Sequence, residues 1–173
     1  YMIGLNMFNS CPSQKTLKQM KVAFKTLGCR TNQHDTAEMQ TLLEKDGFYI
    51  VDPAETADIY VINTCTVTAK SDYRSRLAIK KSLGLNDNAL VVFTGCYAQT
   101  QPEEVIRLPG LGLVLGNADK HNIATAIKQT LERRSSSLFP IEPPIYMTDI
   151  TQERNFETLP VNGFLGKTKA FMK

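Results

Sequence analysis

The segment Ile59–Cys65 reads IYVINTC, a continuous apolar run followed by a short polar turn that ends in a cysteine. The segment Leu90–Cys96 reads LVVFTGC and repeats this arrangement. Short, continuous apolar runs are typical of strands that are buried on both faces, as in parallel sheets. We therefore expect two central strands, at Ile59–Ile62 and Leu90–Phe93, each followed closely by a cysteine.

Helix and strand patterns alternate outward from these two runs. The further strands are predicted at Lys21–Leu27, Phe48–Val51 and Leu113–Leu115. The helices are predicted at Thr36–Lys45, Ala69–Leu83, Pro102 to about Leu108, and a last segment capped by Asp119 in which Ile123, Ile127 and Leu131 recur at helical spacing. Five alternations indicate an α/β fold, a flavodoxin-like doubly wound parallel sheet of five strands in the order 2-1-3-4-5.

Composition divides the chain into one folded domain and flanking segments. Residues 20–133 carry the alternating pattern, and residues 1–19 are irregular and are interpreted as an extension or a tag. Residues 134–162 contain a serine run and four prolines, which predicts a linker. Residues 163–173 begin a further element that the chain does not complete. Because the chain also starts at Tyr1, we expect it to be a fragment of a longer protein.

Overall composition excludes several classes of protein. The 173 residues are 42% apolar and 21% charged, with a net charge of +3, which is too mixed for a disordered polyelectrolyte. No apolar run approaches the roughly 20 residues of a membrane-spanning helix, and no secretory signal is evident. Four cysteines are too few for a disulfide scaffold. We therefore expect a cytoplasmic protein whose thiols are free or bind a metal.

Three of the four cysteines follow predicted strands one, three and four. In the expected order these strands are neighbours, so Cys29, Cys65 and Cys96 should meet at the carboxyl edge of the sheet, where open α/β folds bind ligands. Asn32 and Asn63 lie beside two of them and could bond the loop backbone or the sulfur of a cluster. This placement predicts a thiolate site for a soft metal ion or a cluster.

The residues alone leave three interpretations of this site. Free cysteines often act as small buried hydrophobic residues. Structural zinc needs a fourth protein ligand, for which His34, His121 and Cys11 are the candidates. His34 lies near a predicted helix start and is interpreted as an exposed or capping residue. Three cysteines without a fourth ligand suit a [4Fe–4S] cluster with one open iron.

Three runs around these cysteines resemble a known family, the radical S-adenosylmethionine methylthiotransferases. The runs are TLGCRTNQ at Thr26–Gln33, VINTCTV at Val61–Val67 and TGCYAQ at Thr94–Gln99. The resemblance implies that Cys29, Cys65 and Cys96 bind an auxiliary [4Fe–4S] cluster that delivers sulfur.

The resemblance also implies what lies outside this chain. The family's second [4Fe–4S] cluster and its S-adenosylmethionine site belong to a following barrel domain, whose start residues 163–173 resemble. No catalytic residue is then expected in this chain, and the fragment alone should be inactive. The full-length enzyme would act on tRNA and need a sulfur donor.

The sequence around Cys29, TLGCRTNQHDTAEM, is similar to the branch that modifies threonylcarbamoyladenosine in tRNA, although Thr31, His34 and Asp35 depart from its pattern. The isopentenyl-adenosine tRNA branch and the ribosomal-protein branch are the alternatives. A non-catalytic flavodoxin-like binding module with structural or zinc-binding cysteines is the competing function.

Overall fold

The structure is a computed structural model that describes residues 20–65, 71–137 and 142–148. The expected extension at 1–19, with Cys11, and the expected domain start at 163–173 lie outside the described residues. The strands are β1 (Lys21–Leu27), β2 (Tyr49–Val51), β3 (Ile59–Thr64), β4 (Leu90–Gly95), β5 (Leu113–Leu115) and β6 (Ile145–Tyr146).

These strands form one sheet in the order β2-β1-β3-β4-β5-β6, and every neighbouring pair is parallel. The α/β class and the predicted order of the first five strands are confirmed, but the count of five strands is wrong. β6 follows Pro143 and Pro144, inside the stretch expected to be a linker. A strand of two residues is too short to show an alternating apolar pattern in the sequence. An edge strand tolerates adjacent prolines, because its outer side forms no hydrogen bonds with another strand.

The helices begin and end at places that apolar spacing alone predicts incompletely. They are α1 (Arg30–Lys45), α2 (Ser71–Leu85), α3 (Cys96–Thr100), α4 (Pro102–Val105) and α5 (Ile123–Ser136), with a 3₁₀ turn at Ala118–Asn122. The prediction for the first helix began six residues late because its first turns are polar. The one-turn helix α3 was missed, and α4 ends three residues before the expected Leu108.

Asp119 does not cap the last helix, so that prediction is wrong. It lies in the 3₁₀ turn, and its buried carboxylate accepts hydrogen bonds from the backbone N–H of Thr148 (2.8 Å) and from the Thr148 hydroxyl (2.7 Å). These bonds hold the residues after β6 against the carboxyl edge of the sheet.

Helices cover both faces of the sheet. On one face α1 and α5 pack on alternate residues of the central strands, with Met39 and Ile127 among the fully buried side chains. On the other face α2, α3 and α4 pack on the intervening residues, with Ile79 and Tyr97 buried. Helices thus cover both faces of the sheet. The carboxyl ends of the strands, where open α/β folds bind ligands, are left for ligand binding. None of the described helices is both long enough and apolar enough to cross a membrane.

Candidate metal centre

The carboxyl ends of three adjacent strands are in register. Leu27, the last residue of β1, pairs with Thr64, the last residue of β3, and Thr64 pairs with Gly95, the last residue of β4. Neighbouring strands are about 4.8 Å apart, so the three strand ends span about 10 Å. The chain segments that follow them therefore start side by side at one edge.

Each of these segments brings a cysteine to that edge. Cys65 and Cys96 directly follow the last residues of β3 and β4, and Cys29 is the second residue after β1. Cys29 is exposed and the other two are partly buried, and all three are free thiols. Cys29 is also the N-cap residue of α1, and Cys96 is the first residue of α3. The sheet thus carries three accessible thiols on three adjacent strand ends.

Two glycines allow the backbone to approach closely around these cysteines. A Cβ atom at Gly28 would lie 2.7 Å from the Cβ atom of Cys65 and 3.1 Å from Cγ of Asn32. Gly95 has φ +105°, and a Cβ atom there would overlap the carbonyl oxygen of Thr64. The glycines that precede Cys29 and Cys96 are therefore required by space, and Gly95 also by its backbone conformation.

The asparagines predicted beside the cysteines are buried in a hydrogen-bond network. Asn32 is 1% exposed, and its Nδ2 donates to Oδ1 of Asn63 (3.1 Å) and to the carbonyl of Thr64 (2.8 Å). Asn63 is fully buried, and its Nδ2 donates to the carbonyl of Asn32 (2.9 Å) and to the hydroxyl of Thr36 (3.1 Å). Thr36 in turn shares a 2.8 Å hydrogen bond with the hydroxyl of Thr26. Thr26 and Thr36 gave no signal in the sequence, because each is an ordinary polar residue within a regular element.

Cys29 contacts this network directly and has a perturbed thiol. Its Sγ lies 3.1 Å from Oδ1 of Asn32, to which the thiol donates. The backbone N–H of Asn32 is the main cause that lowers the pKa of Cys29 from its ordinary value, aided by Thr31 and opposed by partial burial. Hydrogen bonds from N–H groups favour the charged form of a thiol. Cys29 therefore carries more thiolate at a given pH than a thiol of ordinary pKa.

The lowered pKa predicts a pH profile for alkylation of Cys29 in the metal-free protein. Since the thiolate is the nucleophile, the midpoint of the rate of reaction with iodoacetamide should fall at lower pH in the folded chain than in the urea-unfolded chain. Mass spectrometry of the Cys29 peptide over a range of pH measures this midpoint separately from the other cysteines. An equal or higher midpoint in the folded chain would contradict the assigned hydrogen bonding.

The third cysteine has polar neighbours of its own. Nδ2 of Asn117 lies 4.0 Å from Sγ of Cys96, and the backbone N–H of Asn117 donates to Oε1 of Gln99 (2.9 Å). Nε2 of Gln99 reaches the carbonyl of Thr148 at 3.4 Å. Asn117 was not predicted as a site residue, because it follows β5 and nothing in its local sequence relates it to Cys96.

Of the proposed fourth zinc ligands, Cys11 lies outside the described residues, and neither histidine belongs to a compact group with the thiols. His121 is exposed and bonds the Asn122 side chain, and His34 is partly buried on α1, not exposed as expected. Ligand atoms of His34, Asp35 and Glu38 lie within 4.8 Å of one another. The carboxylate of Asp35 is already paired with the Lys120 ammonium group at 2.7 Å.

Three thiolates form a donor set that suits an iron–sulfur cluster. A [4Fe–4S] cluster bound by three cysteines needs no fourth protein ligand, whereas a closed structural zinc site does. The compact group of possible ligands among the described residues, at His34, Asp35 and Glu38, contains none of the cysteines.

Comparisons with known proteins match the part of the chain that carries the three cysteines. A family model described as "Uncharacterized protein family UPF0004" matches residues 21–116, which include all three cysteines. The chain is 38% identical over 152 residues to the threonylcarbamoyladenosine tRNA methylthiotransferase MtaB of Bacillus subtilis, covering 88% of this chain and 32% of that protein. It is 43% identical over 143 residues to the MtaB protein of Aquifex aeolicus, covering 81% and 33%.

A more distant relative is the tRNA-2-methylthio-N(6)-dimethylallyladenosine synthase of Rickettsia conorii, 27% identical over 161 residues, with 88% of this chain and 34% of that protein covered. The chain thus spans about a third of the length of the curated relatives it matches. The family model covers more than half of the chain. The chain therefore belongs to the UPF0004 family, and it is similar to two proteins named MtaB over about a third of their length.

Proposed function

We propose that this chain is the flavodoxin-like, auxiliary-cluster domain of a cytoplasmic tRNA methylthiotransferase, and that Cys29, Cys65 and Cys96 hold its [4Fe–4S] cluster. The observation that carries the proposal is the register of β1, β3 and β4, which brings three thiols to one edge of the sheet. These three thiolates would hold the cluster with one iron left free of protein ligands, and that iron would supply a place for the sulfur to be transferred.

The residues of this chain then have positioning and access roles. Gly28 and Gly95 let the loops approach closely, and the buried Asn32 and Asn63 join the start of α1 to the end of β3. Exposure of Cys29 leaves one side of the site open to the substrate and to the sulfur donor. We assign the radical chemistry and S-adenosylmethionine to the remainder of the full-length enzyme, so the fragment alone is expected to be inactive.

We propose threonylcarbamoyladenosine in tRNA as the substrate of the full-length enzyme. Support comes from the two MtaB relatives at 38% and 43% identity, compared with 27% for the dimethylallyladenosine synthase. Methylthiolation assays of the full-length enzyme on tRNAs that carry either modified adenosine test this assignment. Product formed only on the dimethylallyl-modified tRNA would contradict it.

Anaerobic reconstitution of the 173-residue chain with iron and sulfide tests the cluster itself. We expect about four iron and four acid-labile sulfide per chain, with broad visible absorption. A Cys29→Ala, Cys65→Ala, Cys96→Ala variant is the matched control and should bind neither. One zinc per chain without labile sulfide would instead support the binding-module alternative and overturn the proposal.

A further inference from the structure

The orientation of the Asn32 side chain is determined by its partners. The carbonyl oxygen of Thr64 can only accept a hydrogen bond, so the atom of Asn32 that lies 2.8 Å from it must be the amide nitrogen. Oδ1 of Asn32 is then left facing Sγ of Cys29 at 3.1 Å. This contact belongs to the metal-free protein, because a thiolate that binds a cluster has no proton to donate. In both states Asn32 lies in the first turn of the helix that Cys29 caps, and its amide holds Thr64, the residue directly before Cys65.

Asn63 fixes this orientation from the opposite side. It accepts from the Asn32 amide and returns a hydrogen bond to the Asn32 carbonyl, and the two residues are 31 positions apart in the chain. Both side chains are almost completely buried, where an unsatisfied amide is costly because no water replaces the lost partner. The pair therefore joins the first turn of α1 rigidly to the carboxyl end of β3.

The remaining cysteine segment packs against the same pair. A Cβ atom at Gly95, the residue before Cys96, would lie 2.7 Å from Oδ1 of Asn63. A Cβ atom at Gly28, the residue before Cys29, would lie 3.1 Å from Cγ of Asn32. Each of the three cysteine segments thus touches the asparagine pair or is bonded to it.

We propose that Asn32, held by Asn63, is a positioning residue that sets the separation of Cys29 and Cys65 and so determines how tightly the thiols retain the cluster. This inference rests on the proposed function. Hydrogen-bond partners behind metal ligands orient those ligands, and their loss typically weakens metal binding about 10–100-fold. Asn32 differs from a merely structural residue because its loss should change the cluster more than the fold.

The test compares Asn32→Ala with Asn86→Ala in the reconstituted 173-residue chain. Asn86 is a matched control, since its amide also bonds a backbone carbonyl, that of Ala57 (2.9 Å), but beside the opposite end of β3. Anaerobic iron release to a chelator should be about 10–100-fold faster in Asn32→Ala than in the wild type. The midpoint potential of its cluster should also shift, and Asn86→Ala should match the wild type in both measurements.

Thr36→Val is a second variant, in which the new side chain has nearly the same volume and the helix α1 should be retained. It removes the hydroxyl that accepts from Asn63 and that also bonds the Thr26 hydroxyl, and it leaves the Asn32 side chain in place. Its iron release should therefore lie between those of the wild type and Asn32→Ala. The thermal midpoint of each metal-free variant reports the stability of the fold separately. Iron release that follows the thermal midpoints in all three variants, or that stays at the wild-type rate in Asn32→Ala and Thr36→Val, overturns the positioning role alone. A wild-type chain that takes up no iron and sulfide overturns the proposed function and this inference with it.

Discussion

Replacing Gly95 with alanine should destabilise the domain by about 3–5 kcal/mol, a loss at the upper end of single substitutions. Gly95 has φ +105° and ψ −171°, a region that is essentially restricted to glycine and that costs other residues about 1–3 kcal/mol. The added methyl group would also overlap the carbonyl oxygen and backbone nitrogen of Thr64. These atoms belong to a central strand that pairs on both sides, so they cannot move aside without breaking the ladder.

Gly84→Ala is the matched control for this substitution. Gly84 lies within α2, is exposed, and has no atom within 4 Å of the position of an added Cβ. Alanine there should stabilise the domain by about 0.5–1 kcal/mol, because glycine is unfavourable inside a helix. Urea unfolding followed by far-ultraviolet circular dichroism gives both free energies. A Gly95→Ala variant as stable as the wild type would show that the turn between β4 and Cys96 does not need glycine.

Much of the fold could be predicted from the sequence because the central strands β3 and β4 each begin with a continuous apolar run. Their last two residues are polar or glycine, and the predicted strands stop before them. The bounds of β1 and β5 match the prediction, since both runs end next to glycine. The first turns of α1 are polar and β6 has only two residues, so neither shows a periodic apolar pattern in the sequence. Their structure depends on contacts with other elements. Local patterns therefore predict the layers of this domain well and its short or polar elements poorly.

The site could be predicted in outline for a related reason. A cysteine that follows a strand of a parallel sheet must lie at the carboxyl edge, so the position of Cys65 follows from one local pattern and the strand order. The partners of Asn32 depend instead on the register of β1 against β3 and on the direction in which an amide points. The contact of Asn117 with Cys96 similarly joins segments 21 residues apart. Such cross-strand contacts have no periodic signal in a single sequence.

Cys65→Ala should abolish cluster binding while leaving the metal-free fold nearly unchanged. β3 lies between β1 and β4, so removal of its thiol leaves Cys29 and Cys96 on strands that are not neighbours, about 10 Å apart at their ends. The two remaining thiolates then lack the ligand on the strand between them, so they no longer form a set of three adjacent cluster ligands. Cys65 follows the strand and is only partly buried, so the smaller side chain should change the unfolding free energy by less than about 1 kcal/mol.

Cys11→Ala is the control for Cys65→Ala, because the sequence places this fourth cysteine outside the three strand ends. After anaerobic reconstitution we expect wild-type iron and sulfide in Cys11→Ala and neither in Cys65→Ala. In the full-length enzyme, Cys65→Ala should yield no methylthiolated tRNA, and Cys11→Ala should retain wild-type activity. Because the metal-free unfolding curves of both variants should match the wild type, lost iron reports a lost ligand and not a lost fold. Iron and sulfide retained by Cys65→Ala, or lost by Cys11→Ala, would mean that a different set of thiols holds the cluster.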